Sequence, residues 1–290
     1  MRLFDQLPYP ADTRLLMIHA DDAGLAHGEN RATKEVLQNG LANSYSIMVP
    51  CPWFGEMANF AKAHPEYDYG IHLTLTCEWH QYRFGPLSSA AEVPGLVDKY
   101  GHFYKKRHQL VAKATAAEVE KELRAQIDYA LDYGLQPSHL DSHMFSLGAD
   151  PAFLEVYRKL GRNYQLPICL NGQLLEMVGQ DLSCLQAEDP LLDQVFMGDW
   201  ELFQTGTMAD YYFEVLDQLK PGLSILFIHP AYDNAEMRAV CIDHPNFGAE
   251  WRQIDLDTFT STAFREKLAA SDIQLINWRE IREAMYGEEQ

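Results

Sequence analysis

The run Leu15-Leu16-Met17-Ile18-His19-Ala20 passes directly into Asp21-Asp22-Ala23-Gly24, and that junction restricts the fold more than any other feature of the chain. A run so dense in apolar side chains has the length and composition of a strand buried on both faces of a parallel sheet. A helix-like segment begins just beyond it, near His27-Gly28-Glu29-Asn30. Open and barrel α/β folds build their sites at the carboxyl ends of such strands. Two adjacent carboxylates there are costly unless a charge offsets them. A metal ion can bind one and leave the other as a base. Alternatively, one Asp caps the next helix while the other is solvated.

The same rhythm recurs along the chain. Further strand-like runs lie at Ser44 to Val49, closed by Pro50-Cys51-Pro52, and at Tyr69 to Thr76, Ser138 to Met144 and Pro167 to Leu170. Leu223 to Ile228 follows, ending at His229-Pro230, and Ile273 to Ile276 is the last. Helices are expected over Asn30 to Asn39, stopped by Gly40, and over Phe54 to Ala63, stopped before His64-Pro65. The strongest helix runs from Ala116 to Tyr133, with Val119, Leu123, Ile127, Ala130 and Leu131 on one face and Gly134 as its stop. Strands alternating with helices predict an α/β fold with a parallel sheet or barrel. One domain over 1–290 is expected. Residues 80–108, rich in Pro, Gly and aromatics, break the rhythm as a loop-rich insertion of the kind that often covers a site.

Charge narrows the partners. The net charge of −19, from 42 acidic and 23 basic residues, excludes a nucleic acid backbone or an anionic membrane as a partner unless a local basic patch exists. The compact basic cluster is Lys105-Lys106-Arg107-His108, soon followed by Glu118, Glu120 and Glu122, and it reads as solvated surface. Five cysteines, at 51, 77, 169, 184 and 241, form no CxxC pair and read as reduced thiols. Without a signal-peptide pattern or an apolar run of ~20 residues, a cytoplasmic protein is expected.

Three more strand ends carry ligand-type side chains. In Gly70-Ile71-His72-Leu73-Thr74-Leu75-Thr76, alternation puts His72, Thr74 and Thr76 on one face. In Ser138-His139-Leu140-Asp141-Ser142-His143, extended geometry aligns His139, Asp141 and His143, and a helical reading also pairs His139 with His143. His229 follows the late apolar strand. One Asp and two His form a usual ligand set for a divalent ion with open positions, and Asp141 could orient a ligating imidazole. Any one of these histidines could instead simply hydrogen-bond in the core.

The strings His19-Ala20-Asp21-Asp22-Ala23-Gly24-Leu25, Gly70-Ile71-His72-Leu73-Thr74-Leu75-Thr76, Pro137-Ser138-His139-Leu140-Asp141-Ser142-His143 and Phe227-Ile228-His229-Pro230 resemble, in order and spacing, the successive motifs of the YdjC family. Its best-known members are carbohydrate deacetylases. The resemblance implies a deformed (β/α) barrel related to NodB-type polysaccharide deacetylases. It implies one divalent ion, magnesium or zinc with manganese as a third option, held by Asp22, His72 and His143. Asp21 is then the base and His229, protonated, the acid, in hydrolysis of an N-acetyl group on an amino sugar or short oligosaccharide. Two departures bear on the substrate. Ala23 stands where the family commonly has Phe, and Met144-Phe145-Ser146-Leu147 follows the Asp-Ser-His string where further His residues are frequent.

Around that set, His139, Asp141, Thr74, Trp79 and Arg252 are expected to contact substrate or to support the ligands, with Arg252 beside Asp21 to keep it ionised. Thr74 and Thr76 could instead buttress the strand. Trp79, Tyr82 and Phe84 could stack on a sugar ring or anchor the insertion. Cys77 lacks a paired base and is not expected to be a nucleophile. The competing readings are a metal hydrolase of another amide or ester on the same scaffold, or a non-catalytic sugar-binding protein. A phosphoester is less favoured because no Arg or Lys clamp adjoins the motifs. A homodimer is the default oligomer.

Overall fold

The computed structural model describes residues 2–287. Strand β1 (Arg14–Ala23) is its axis, with every residue after Arg14 buried. Helix α1 (His27–Gln38), β2 (Ser44–Ile47), α2 (Phe54–Ala63) and β3 (Tyr69–Leu73) follow. After the 80–108 segment come α3 (Arg107–Lys113), α4 (Ala116–Asp132), β4 (Leu140–Ser142), a 3-10 segment at His143–Gly148 and α5 (Pro151–Tyr164). Then come α6 (Gly172–Met177), β5 (Gln194–Met197), α7 (Trp200–Thr205), α8 (Met208–Gln218) and β6 (Gly222–Ile228). The chain ends through α9 (Ala235–Val240), α10 (Ala249–Thr260), α11 (Thr262–Ala269), β7 (Ile273–Leu275) and α12 (Trp278–Tyr286). No helix among the described residues is long and apolar enough to cross a membrane.

The sheet is parallel throughout, in the order β4-β3-β2-β1-β6-β5, with β7 joined to the start of β1. It curls into a half-barrel, so the carboxyl ends of the strands face one another across a mouth. Single-residue bridges partly close the gap. Cys169 N–H donates to the Leu140 carbonyl and Leu192 N–H to the Leu170 carbonyl, each at 3.0 Å, which ties the β4 edge toward the chain entering β5. The expected strand at Pro167 to Leu170 exists only as these bridges, and the one expected from Tyr69 to Thr76 stops at Leu73. β5, half-buried and without a long apolar run, gives the sequence little periodic signal.

Local chemistry sets the helix ends. Thr115 and Glu118 form a reciprocal capping box at the start of α4, which lays Val119, Leu123, Ile127 and Ala130 on the sheet. Asp150 caps α5 with Pro151 at its first position. The insertion has a small core of its own in Phe84, Val93, Leu96 and Phe103, all buried. Glu122 of α4 pins it by accepting from the N–H groups of Leu87 (3.0 Å) and Ser88 (2.9 Å). All five cysteines are free.

Candidate metal centre and active-site pocket

Neighbouring residues on a regular strand point to opposite faces, so Asp21 and Asp22 should part company. They do not, because β1 is irregular at this point. Ala20 pairs with Tyr45 and Ala23 with Ile47, so one extra residue is accommodated on β1. Asp22 takes a left-handed backbone, φ 64°. Both carboxylates consequently line one pocket at the barrel mouth, together with His72, Asp141, His143 and His229. A second strained turn, with positive φ at Met144 and Phe145, follows β4 and carries His143 into the same space.

Three donor atoms converge there. Asp22 Oδ1 is 3.0 Å from His143 Nδ1 and 3.3 Å from His72 Nε2, and those two nitrogens are 3.3 Å apart. The outward nitrogen of each imidazole faces a carboxylate: His72 Nδ1 meets Asp141 Oδ1 at 2.8 Å and His143 Nε2 meets Glu78 Oε2 at 2.8 Å. With both outward nitrogens protonated, two imidazole lone pairs and a carboxylate oxygen point at one spot. Ligands about 2.1 Å from a common ion at tetrahedral to octahedral angles lie about 3.0–3.4 Å apart, so the donor set fits a divalent cation. Without a cation, protons relieve the repulsion. Burial opposes charge on His143, but Glu78 and Asp22 outweigh it and raise its pKa to about 9. His72 is likewise raised, against burial, by Asp141 and Asp21. Burial would lift Asp22, yet His143 and Arg252 hold it well below the usual carboxylate range.

Arg252 corrects one expectation. Its guanidinium engages Asp22, not Asp21: Nη2 donates to Asp22 Oδ2 at 2.8 Å, Nη1 to Glu29 and Nε to the Phe247 carbonyl at 2.7 Å. Helix α10 supplies it, and Asp255, three residues on, accepts from the His229 backbone N–H at 2.8 Å and from the Tyr212 hydroxyl at 2.6 Å. Asp21 turns Oδ1 toward His19 Nε2 (3.2 Å) and Oδ2 toward His229 Nε2 (3.6 Å). Burial lowers the His229 pKa to about 4.

The remaining expected residues separate by position. Trp79 lines the pocket with its ring stacked on His143. Thr74 is a buttress, its Oγ1 donating to the His72 carbonyl at 2.7 Å and its N–H to Gln126 at 3.0 Å, and Thr76 is fully buried. His139 lies below the pocket, stacked on Trp278 and pressed so closely on β3 that a Cβ at Gly70 would fall 2.4 Å from its ring. It is not placed to touch a substrate. Tyr82 and Phe84 hold the insertion: Tyr82 donates to the Leu25 carbonyl at 2.6 Å and Phe84 packs on Phe103. Burial pushes the Cys77 thiol up to about 12, which removes it as a nucleophile at neutral pH. The Lys105–His108 cluster is not mere solvated surface. Arg107 lines the pocket, with Nη1 on the Met144 carbonyl at 2.8 Å, and its neighbours line an adjoining groove.

Sequence reasoning alone misses Glu78, Glu29, His19, Ser46 and Asp255. Glu78 has a signal, since it continues the alternation of His72, Thr74 and Thr76. His19 also has one, standing two residues before Asp21 on the same strand face. Among the described residues two further groups could in principle hold a cation, His19 with His139 and Asp141, and Asp21 with His72 and Asp141. The first is sealed from the pocket, because His19 and His139 have no exposed surface.

Residues 15–270 match the family model described as YdjC-like protein. The carbohydrate deacetylase of Thermus thermophilus is 32% identical over 279 residues, 94% of this chain and 96% of that one. The carbohydrate deacetylase of Brevibacillus brevis is 31% identical over 273 residues, covering 92% and 99%. A crystal structure from Enterococcus faecalis, of a protein named for cellobiose-phosphate cleavage, superposes with a TM-score of 0.76 at 23% identity, covering 93% of this chain and 99% of that one.

Proposed function

The chain belongs to the YdjC-like family, and from that premise we propose that it is a metal-dependent carbohydrate deacetylase, hydrolysing an N-acetyl group on an amino sugar or short oligosaccharide to acetate and the free amine. The observation that carries this reading is the convergence of Asp22 Oδ1, His72 Nε2 and His143 Nδ1 at the pocket, with Asp21 and His229 beside it. A divalent ion would be held by those three residues and would supply Lewis acidity at the acyl oxygen and lower the pKa of water. Two imidazoles and a carboxylate admit zinc or manganese, and magnesium if water completes the shell.

The chain's own residues handle the protons. Asp21 Oδ2, turned to the pocket, accepts the proton of the attacking water. His229 gives a proton to the leaving amine, and with burial lowering its pKa, Asp21 Oδ2 at 3.6 Å is placed to pass it the proton taken from water. Arg252, itself held by Glu29, fixes Asp22 Oδ2, which leaves Oδ1 as the donor atom. Asp141 and Glu78 orient the two imidazoles. Phe227, Phe247, Met197 and Leu174 give one wall an apolar character suited to the faces of a sugar ring. A phosphoester is disfavoured, since Arg252 is committed to Asp22 and Glu29 and one arm of Arg107 to a carbonyl.

The test is acetate release from N-acetylglucosamine and short chitooligosaccharides by zinc-, manganese- or magnesium-loaded protein, with Asp21→Asn alongside. Release that disappears in the variant supports the reading. Absence of release by protein shown to bind metal sinks it in favour of another acyl substrate.

A further inference from the structure

We infer that His19 is a positioning residue that aims the Asp21 carboxylate at the pocket; the inference rests on the reading of Asp21 as the base. His19 sits on β1 one strand repeat below Asp21, with no exposed surface, where an apolar side chain is the default. Its Nε2 faces two carboxylates at once, Asp141 Oδ2 at 3.0 Å and Asp21 Oδ1 at 3.2 Å. Asp141 through its other oxygen holds His72. One imidazole N–H therefore joins the base to the carboxylate that orients a metal-binding histidine.

That contact makes the two oxygens of Asp21 unequal. Oδ1 is turned inward, toward His19 and the Ser46 hydroxyl at 3.5 Å, which leaves Oδ2 facing the pocket and His229. Without His19, Asp21 Oδ1 keeps inward only the Ser46 hydroxyl at 3.5 Å and His72 Nδ1 at 4.0 Å, and the carboxylate is free to turn away from the pocket. The other groups around His19 do not replace it. β2 presents the hydroxyls of Ser44 (3.0 Å from Nδ1) and Ser46 (3.2 Å from Nε2), β6 presents Phe227, and the approach to β4 presents the ring of His139. Burial opposes charge on His19, but the bonds to Asp141 and Asp21 prevail and raise its pKa to about 9. Burial, and then the charge of His19, push His139 the other way, well below its ordinary value. The positive charge of this sealed layer therefore resides on the histidine that touches the base.

The experiment compares wild type, His19→Gln and His19→Leu as zinc-loaded proteins, each checked by thermal melting. Gln can place a neutral N–H near the position of Nε2, and Leu places none. For His19→Gln, kcat is expected to fall about tenfold with KM within about twofold. For His19→Leu the loss in kcat is about 10²-fold. A merely structural histidine would lower the melting temperature and leave kcat of the folded enzyme in place. If His19→Leu prevents folding, His19→Gln alone decides. Unchanged kcat in folded His19→Gln overturns the inference. A second readout needs no substrate. Crystal structures of the variants should show the Asp21 carboxylate turned away from its wild-type position, more in His19→Leu than in His19→Gln. A displaced carboxylate in a protein that deacetylates nothing sinks the substrate reading and keeps the role of His19. Acetate release with Asp21 unmoved in both variants sinks the role of His19 alone.

Discussion

Two layers of histidine and carboxylate lie one above the other, the upper carried by β1, β3 and the turn after β4, the lower by β1 and the β4 segment, and they have opposite fates. The upper layer, Asp22, His72 and His143, opens on the pocket; in the lower layer His19 and His139 are sealed and only Asp141 reaches the pocket wall. Residue types do not distinguish them, since each has two imidazoles and a carboxylate. The difference is where the protons go. In the lower layer Ser44, Ser46 and Ser138 hydroxyls meet the ring nitrogens of His19 and His139, and the Asp141 carboxylate meets His19. Hydrogen bonds, the pairing of His19 with Asp141 and ring contacts of His139 hold that layer together. In the upper layer Asp141 and Glu78 occupy the outward nitrogens, which leaves the inward ones facing each other and Asp22. An ion-binding cluster is thus marked by the absence of a proton carrier between its donors, more than by the donors themselves.

Breaking the upper layer should have the largest effect. Asp22→Asn is expected to weaken zinc binding by at least about 10²-fold in a competition titration with a chromogenic chelator, because the shared oxygen of the donor triangle becomes a weaker ligand. His139→Asn should leave zinc affinity within a few-fold. Equal losses in the two variants would end the distinction between the layers.

The support of the upper layer comes next. Glu78→Gln should lower zinc affinity about 10–100-fold, since it replaces the carboxylate that orients His143. His143→Ala measured beside it should lose more, and unchanged affinity in Glu78→Gln would remove Glu78 from the support of His143.

Proton release sharpens the comparison further. His143, raised to about 9, and His72, also raised, carry protons at pH 7 that an entering ion must displace. Calorimetry in buffers of different ionisation enthalpy should show about one to two protons released per zinc. Affinity should rise with pH, because protons compete less, and level off once pH passes about 9. No buffer dependence at pH 7 would mean the inward nitrogens are already free of protons.

The smallest effect should come from overfilling the sealed layer. Gly70→Ala puts a methyl 2.4 Å from the His139 ring and should destabilise by about 1–3 kcal/mol, read as a lower melting temperature. Zinc affinity should change little. A large loss of affinity would show that the layers are mechanically coupled.

Much of the site is legible in the sequence because its residues stand at the ends of apolar runs. Asp21-Asp22 after Leu15 to Ala20, His72 within Gly-Ile-His-Leu, His143 after Leu140-Asp141-Ser142 and His229 after Leu223 to Ile228 all announce themselves by local pattern. Strand burial and alternation are properties of near neighbours, so a single sequence carries them. The parallel sheet follows for the same reason.

What the sequence could not determine depends on contacts between distant segments. Alternation sends Asp21 and Asp22 to opposite faces, and only the irregular pairing of β1 with β2, with Asp22 in a left-handed backbone, returns both to the pocket. Arg252 reaches Asp22 across 230 residues of chain, and nothing near Trp251-Arg252 says which of two adjacent acids it will meet. Arg107 reads as one charge in a solvated run until the insertion folds it against the Met144 carbonyl. The choice of which imidazole receives a hydroxyl and which a carboxylate is likewise made by neighbouring strands. The residues able to hold an ion are thus a local property of the chain, but their proton partners are fixed by packing, because hydrogen bonds in a buried site are made by whichever groups the fold brings within about 3 Å.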